Sequence, residues 1–258
     1  MSIELITAPN LTAIEGLLHG FTTRKGGHSQ ESFAALNLGF NTGDDDQHVE
    51  DNLQTLCLYL GISADQIATC RQTHGSQSIV VESETDLEEL SAISADIMLT
   101  QDKSRFLMMR TADCFPLLVV DPRQRIISNI HAGWRGTLAR VVVSAINIMK
   151  ADFGCDPSEL QVAIGPGISI KHFEVSLGIA NLFKEAGLLN SNNFSETEHS
   201  AYLDLALINS DQLIESGVMS KHIWNSKLCT YSDPARFYSY RRDGQRTGRM
   251  ASIIGWKP

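Results

Sequence analysis

No apolar run in this chain approaches the ~20 residues that a membrane-spanning helix needs. A surplus of positive charge is missing too. Lys and Arg number 21 against 30 Asp and Glu, for a formal net charge of −9. That balance argues against nucleic acid or a membrane surface as the main partner. It leaves room for a small anion, because a local arginine cluster overrides the global sign. Cysteines are few, odd in number and scattered: Cys57, Cys70, Cys114, Cys155 and Cys229. They do not make a disulfide framework, and free thiols point to a reducing compartment. The start, Met1-Ser2-Ile3-Glu4-Leu5, lacks a basic segment followed by an apolar one. No signal peptide is read there, and a cytoplasmic location is expected. Repeats, low-complexity tracts and a convincing linker are absent as well, so residues 1–258 are read as one domain.

What is present is a soluble-enzyme composition, 43% hydrophobic and 20% charged, with enough apolar material for a large core. Residues 95–100, 105–109, 115–120 and 125–130 are nearly continuous apolar runs, as expected of strands buried on both faces. Leu138, Val141, Val142, Ala145, Ile146 and Met149 step at helical spacing and predict one amphipathic helix that begins near Gly136-Thr137. Further helices are expected over 49–60, 175–186 and 203–214. The acidic run 82–89 reads as a solvated stretch, 188–199 as a loop, and 229–254 as strand-rich. The fold class is α/β, with mixed sheets and helices packed outside.

Cys114 and His131 lie at the two ends of a predicted strand-turn-strand unit, 17 residues apart. A thiolate and an imidazole so placed suit either a metal site or a nucleophile and base pair. An inert core thiol is the third reading. His74 sits at a glycine-marked break between two strand signals and is a third donor candidate. Two imidazoles and a thiolate suit Zn²⁺, and copper is chemically allowed. Three protein ligands leave a fourth position open, the arrangement of catalytic sites. The 40 residues between His74 and Cys114 form no short motif, so spacing alone leaves these readings open. Asp113, beside the thiol, is either a proton carrier or a turn cap. Arg24, in Arg24-Lys25-Gly26-Gly27, is either an anion clamp or part of a surface turn. Arg135 precedes a helix start, where free amides favour anions. Arg241 lies among aromatic residues in a segment that either holds a ligand or forms a basic hairpin.

Six blocks occur in order: Thr22-Thr23-Arg24-Lys25-Gly26-Gly27, Leu36-Asn37-Leu38-Gly39, Gln72-Thr73-His74-Gly75, Thr111-Ala112-Asp113-Cys114-Phe115-Pro116, His131-Ala132-Gly133-Trp134-Arg135-Gly136 and Tyr238-Ser239-Tyr240-Arg241-Arg242-Asp243-Gly244. Together they resemble the bacterial family long labelled polyphenol oxidase, multicopper-oxidase-like or laccase-domain. Its newer description is purine nucleoside phosphorylase, and a peptidoglycan-editing role is attached to some members. The resemblance spans nearly the whole chain.

It implies a single-domain, layered α-β-β-α sandwich and a zinc site at His74, Cys114 and His131. It implies attack of phosphate on C1′ of adenosine, inosine, guanosine or methylthioadenosine, giving free base and ribose 1-phosphate. Adenosine deamination is the second implied activity. On this reading Cys114, His131 and Asp113 are the catalytic candidates, and Arg24, Arg135 and Arg241 hold substrate. The partners are a nucleoside and phosphate, with no nucleic acid or membrane, and a monomer is expected. The alternatives are a hydrolase or editing factor on a peptidoglycan precursor, acting through Cys114, and a copper-dependent phenol oxidase. For the latter, one such cysteine and few clustered histidines are sparse. After Ile164-Gly165-Pro166 the run Gly167-Ile168-Ser169-Ile170-Lys171-His172-Phe173 departs from the family pattern.

Overall fold

The structure is a computed structural model that describes residues 2–257. Its two large sheets lie face to face. One has five strands in the order Leu5–Ile6, Leu17–Thr22, Met250–Trp256, Phe106–Thr111 and Ile67–Ala68. The other has six, in the order Ile223–Asn225, Gln161–Ile164, Phe115–Asp121, Ile126–Ala132, Ile97–Thr100 and Ser78–Val80. Both mix parallel and antiparallel neighbours. A small third sheet joins Glu174–Val175, Ala201–Leu203 and Phe194–Glu196.

The apolar runs produce this layering because successive strand residues face opposite sides. Leu117 and Val119 pack outward with Val142, Ile146 and Met149 of the Val141–Phe153 helix. Their neighbours Leu118 and Val120 pack inward with Leu107, Met109 and Ile254 of the other sheet. Phe106, Met108 and Ile253 then face Leu56 and Leu60 of the Asp46–Leu60 helix. The order is helix, sheet, sheet, helix, as expected. Each fully buried Leu or Ile contributes about 2 kcal/mol by removing apolar surface from water. One polar bridge crosses the inner layer. The Asn129 amide donates to the carbonyls of Leu107 (3.0 Å) and Ser252 (3.1 Å), and its oxygen accepts from the Ser252 hydroxyl (2.8 Å).

Several elements depart from expectation. The single helix over 138–149 is two, Trp134–Leu138 and Val141–Phe153, broken at Arg140, whose φ is 57°. The break has a cause: the Thr137 carbonyl accepts from the Arg140 amide (3.1 Å) and from Gln212 Nε2 (2.9 Å). The acidic run contains a helix, Leu87–Ala92, because Asp86 caps it and Leu90 is buried. The expected loop over 188–199 holds the strand Phe194–Glu196, which pairs with Ala201–Leu203. Residues 229–249 hold one isolated bridge, Cys229 to Gly167, then turns and the short helix Tyr240–Asp243; the strand lies at Met250–Trp256. Arginine side chains bonded to carbonyls hold that segment in place of a ladder: Arg242 donates to Thr230, Tyr231 and Phe237.

Candidate metal centre

Cys114 lies in the short link between Phe106–Thr111 and Phe115–Asp121, where the chain crosses from one large sheet to the other. The crossing is tight: Asp113 has a φ of 88°. His131, near the end of Ile126–Ala132, stands opposite Pro116 in the antiparallel register. That register brings the imidazole to the thiol. His74 arrives from a separate turn, with a φ of 61°. Gly133 makes the approach feasible, since a Cβ there would sit 2.9 Å from both Cys114 Sγ and His74 Cδ2. The donor atoms of His74, Cys114 and His131 lie within 4.8 Å of one another.

Asp96, fully buried at the head of Ile97–Thr100, organises the two histidines. One carboxylate oxygen accepts from the amides of Thr73 (3.1 Å) and Gly75 (2.7 Å) and from the Thr73 hydroxyl (3.1 Å). The other accepts from the His74 amide (3.0 Å) and is 2.7 Å from His131 Nδ1. That contact leaves Nε2 of His131 as the atom to face a ligand, an outer partner common to metal-bound histidines. Burial raises the Asp96 carboxyl, but bonds from His131 and the loop amides outweigh it and hold it below its ordinary value. Burial also pushes the Cys114 thiol up, yet His131 and His74 beside it bring it down to about 6. His131 is lowered by burial and raised more by Cys114 and Asp96, to about 9. Both shifts favour the thiolate, the form that binds metal.

This donor set fits zinc. A tetrahedral zinc places its N and S donors roughly 3.5 Å apart, within the spread the three residues show. Among the described residues, this is the group of three donors that could hold an ion.

The three donors lie in a cleft of about 640 Å³, a volume in the usual range for a small-molecule site. Arg135 and Arg241 line it, as expected from sequence, and so do Arg110 and Arg249. Arg135 stacks on Trp134 with its guanidinium carbon 4.2 Å from a ring centroid. Arg241 donates to the carbonyls of His172 (3.3 Å) and Glu174 (2.8 Å) and lies over Phe173. Ile168 and Phe173 of the divergent loop reach the cleft wall. Asp113 also lines the cleft, with both oxygens occupied: Thr230 Oγ1 donates to one at 2.6 Å and the Arg241 amide to the other at 2.7 Å. Arg24 is elsewhere. It lies over Tyr238, donates to the carbonyls of Ala34 and Pro234, and borders a separate concavity with Arg242 and Arg246.

Sequence reasoning missed Asp96 and Arg110. Asp96 carried one signal, a charged residue opening a strand otherwise apolar on both faces, which demands a paired carboxylate. Arg110 carried none.

A family profile described as "Multi-copper polyphenol oxidoreductase laccase" matches residues 18–257. A relative from Deinococcus radiodurans named "Purine nucleoside phosphorylase" is 38% identical over 253 residues, 98% of this chain and 93% of the relative. One named "Adenosine deaminase RL5", from an unknown prokaryotic organism, is 30% identical over 98% of both chains. The crystal structure of the hypothetical protein YfiH from Bacillus licheniformis superposes with a TM-score of 0.91 at 28% identity, over 99% of each chain.

Proposed function

The chain belongs to the family described as multi-copper polyphenol oxidoreductase laccase and is an enzyme, and from its cleft we propose that it cleaves purine nucleosides with phosphate. The products are the free base and ribose 1-phosphate. The observation that carries this reading is the joining of three metal donors to a ring of arginines and aromatic side chains in one cleft. The names of the relatives from Deinococcus radiodurans and the unknown prokaryote support it.

Held by His74, Cys114 and His131, zinc would supply Lewis-acid chemistry with a fourth position open to substrate. Zinc is preferred over copper because a multicopper centre needs several donor groups, and the described residues provide one. The chain's own residues do the rest. Arg135, Arg241 and Arg249 face a dianion with charge-assisted donors and hold phosphate against the sugar. Trp134 and Phe40 offer ring faces to a planar purine. A phosphate oxygen bonds to C1′ as the bond from C1′ to the purine nitrogen breaks, and the electron pair leaves with the base, which takes up a proton. Asp113 keeps the Arg241 backbone in position through its 2.7 Å bond. Deamination of adenosine is a second reading, favoured by the name of the 30% identical relative.

The test is chromatography of inosine incubated with the protein, with and without phosphate. Hypoxanthine is expected only with phosphate. Release at the same rate in its absence would overturn phosphorolysis.

A further inference from the structure

The helix that brings Trp134 and Arg135 to the cleft is short, Trp134–Leu138. A five-residue helix is not stable by itself. Its start, at Gly133, has no side-chain cap, and its far end breaks at Arg140. It is also close to the metal donors: a Cβ on Gly136 would lie 3.0 Å from the Gly75 carbonyl, one residue past His74. A tilt of this helix would therefore move the arginine and press on the His74 turn together.

Two amides from another element grip it. On the helix Leu205–Glu215, Asn209 Nδ2 donates to Thr137 Oγ1 at 2.9 Å, and Gln212 Nε2 donates to the Thr137 carbonyl at 2.9 Å. Thr137, Asn209 and Gln212 are all buried. The neighbouring buried positions on the same helix, Leu205, Ala206, Ile208 and Leu213, are apolar. The two amides also leave their own oxygens without a hydrogen-bond partner. Packing alone would be better satisfied by apolar side chains, because a buried orphan oxygen is destabilising. What the amides achieve is direction: one fixes the side chain and the other the backbone of a single threonine.

We propose that Asn209 and Gln212 are positioning residues which, through Thr137, set the angle at which Arg135 meets the substrate phosphate and Trp134 the purine. The proposal rests on the phosphorolytic reading for its kinetic consequence, and on geometry for the placement of the helix.

The experiment compares Asn209→Leu, Gln212→Met, Thr137→Val and Thr137→Ser with the unchanged protein. Two readouts are taken: KM for phosphate against kcat with inosine, and the fluorine NMR spectrum of protein carrying 5-fluorotryptophan. The Trp134 signal is assigned by Trp134→Phe. Asn209→Leu, Gln212→Met and Thr137→Val are expected to raise KM for phosphate about tenfold, since small misplacements are costly. They should shift the Trp134 resonance and leave those of Trp224 and Trp256 in place. Thr137→Ser keeps both acceptors and should restore KM and the resonance. If one amide variant does not fold, the other decides. A lowered melting temperature with unchanged KM and an unmoved Trp134 resonance would overturn the proposal and leave a packing role. If the unchanged protein releases no base, the phosphorolytic reading falls, and the Trp134 resonance alone decides the positioning claim.

Discussion

Replacing Asp96 by Asn puts an NH₂ group where five donors converge: two from Thr73, one each from the amides of His74 and Gly75, and His131 Nδ1. One donor would then face another, and the imidazole would lose its carboxylate partner. Asp96→Asn is expected to weaken zinc binding about 10- to 100-fold, measured by competition with a chromophoric chelator. An unchanged affinity would deny Asp96 its organising part. His19 gives a residue-scale prediction about pH. Burial holds its imidazole down to about 4, and its Nε2 accepts from the Ala8 amide at 2.9 Å. The unfolded chain binds this proton from about pH 6.5, the folded one only near 4, so the neutral form stabilises the fold above that window. Stability should fall by about 3 kcal/mol as pH drops from 6.5 to 4. Urea unfolding of the unchanged protein and His19→Gln across that range checks it, with the decline smaller in the variant.

Among the elements, the polar bridge between the two large sheets is the most exposed to test. Asn129→Leu would remove the hydrogen bonds that join Asn129 to Leu107 and Ser252 and take from the Ser252 hydroxyl its 2.8 Å acceptor. A buried polar group that loses its partner costs about 1–3 kcal/mol, so urea unfolding should show a loss of about that size with the metal centre intact. The strands around this bridge were readable, because runs such as Phe115-Pro116-Leu117-Leu118-Val119-Val120 are apolar at every position, which two covered faces require. The helix Val141–Phe153 was readable from its period. Its separation from Trp134–Leu138 was not, because the break depends on Gln212, 75 residues away in sequence. The strand character expected of 229–249 failed for a similar reason. Aromatic residues there reflect burial of Phe237 and Tyr238, while arginines take the carbonyls that a ladder would have used.

At the scale of the molecule, a net charge of −9 coexists with four arginines lining one cleft. The chain is acidic overall and cationic where a dianion would bind. Composition showed the first fact and could not show the second. Arg110 lies one residue before the end of a strand and Arg249 just before another, and the pairing of those two strands brings them to the same concavity. His74, Cys114 and His131 were legible as donors through their blocks of neighbouring residues. Their meeting within 4.8 Å is a product of one turn, one link between the sheets and one strand end. Arg24 belongs to an equally recognisable block and lies outside the cleft. A motif marks a residue that the fold needs, and only the assembled layers show whether it faces the ligand.

The proposed chemistry depends on those three donors holding one ion together. The direct measurement is elemental analysis of the purified protein beside His74→Ala, Cys114→Ala and His131→Ala, each confirmed folded by circular dichroism. About one zinc per unchanged chain is expected, as a three-donor open site binds, with a large loss in every variant. Full zinc content retained in all three variants would contradict it.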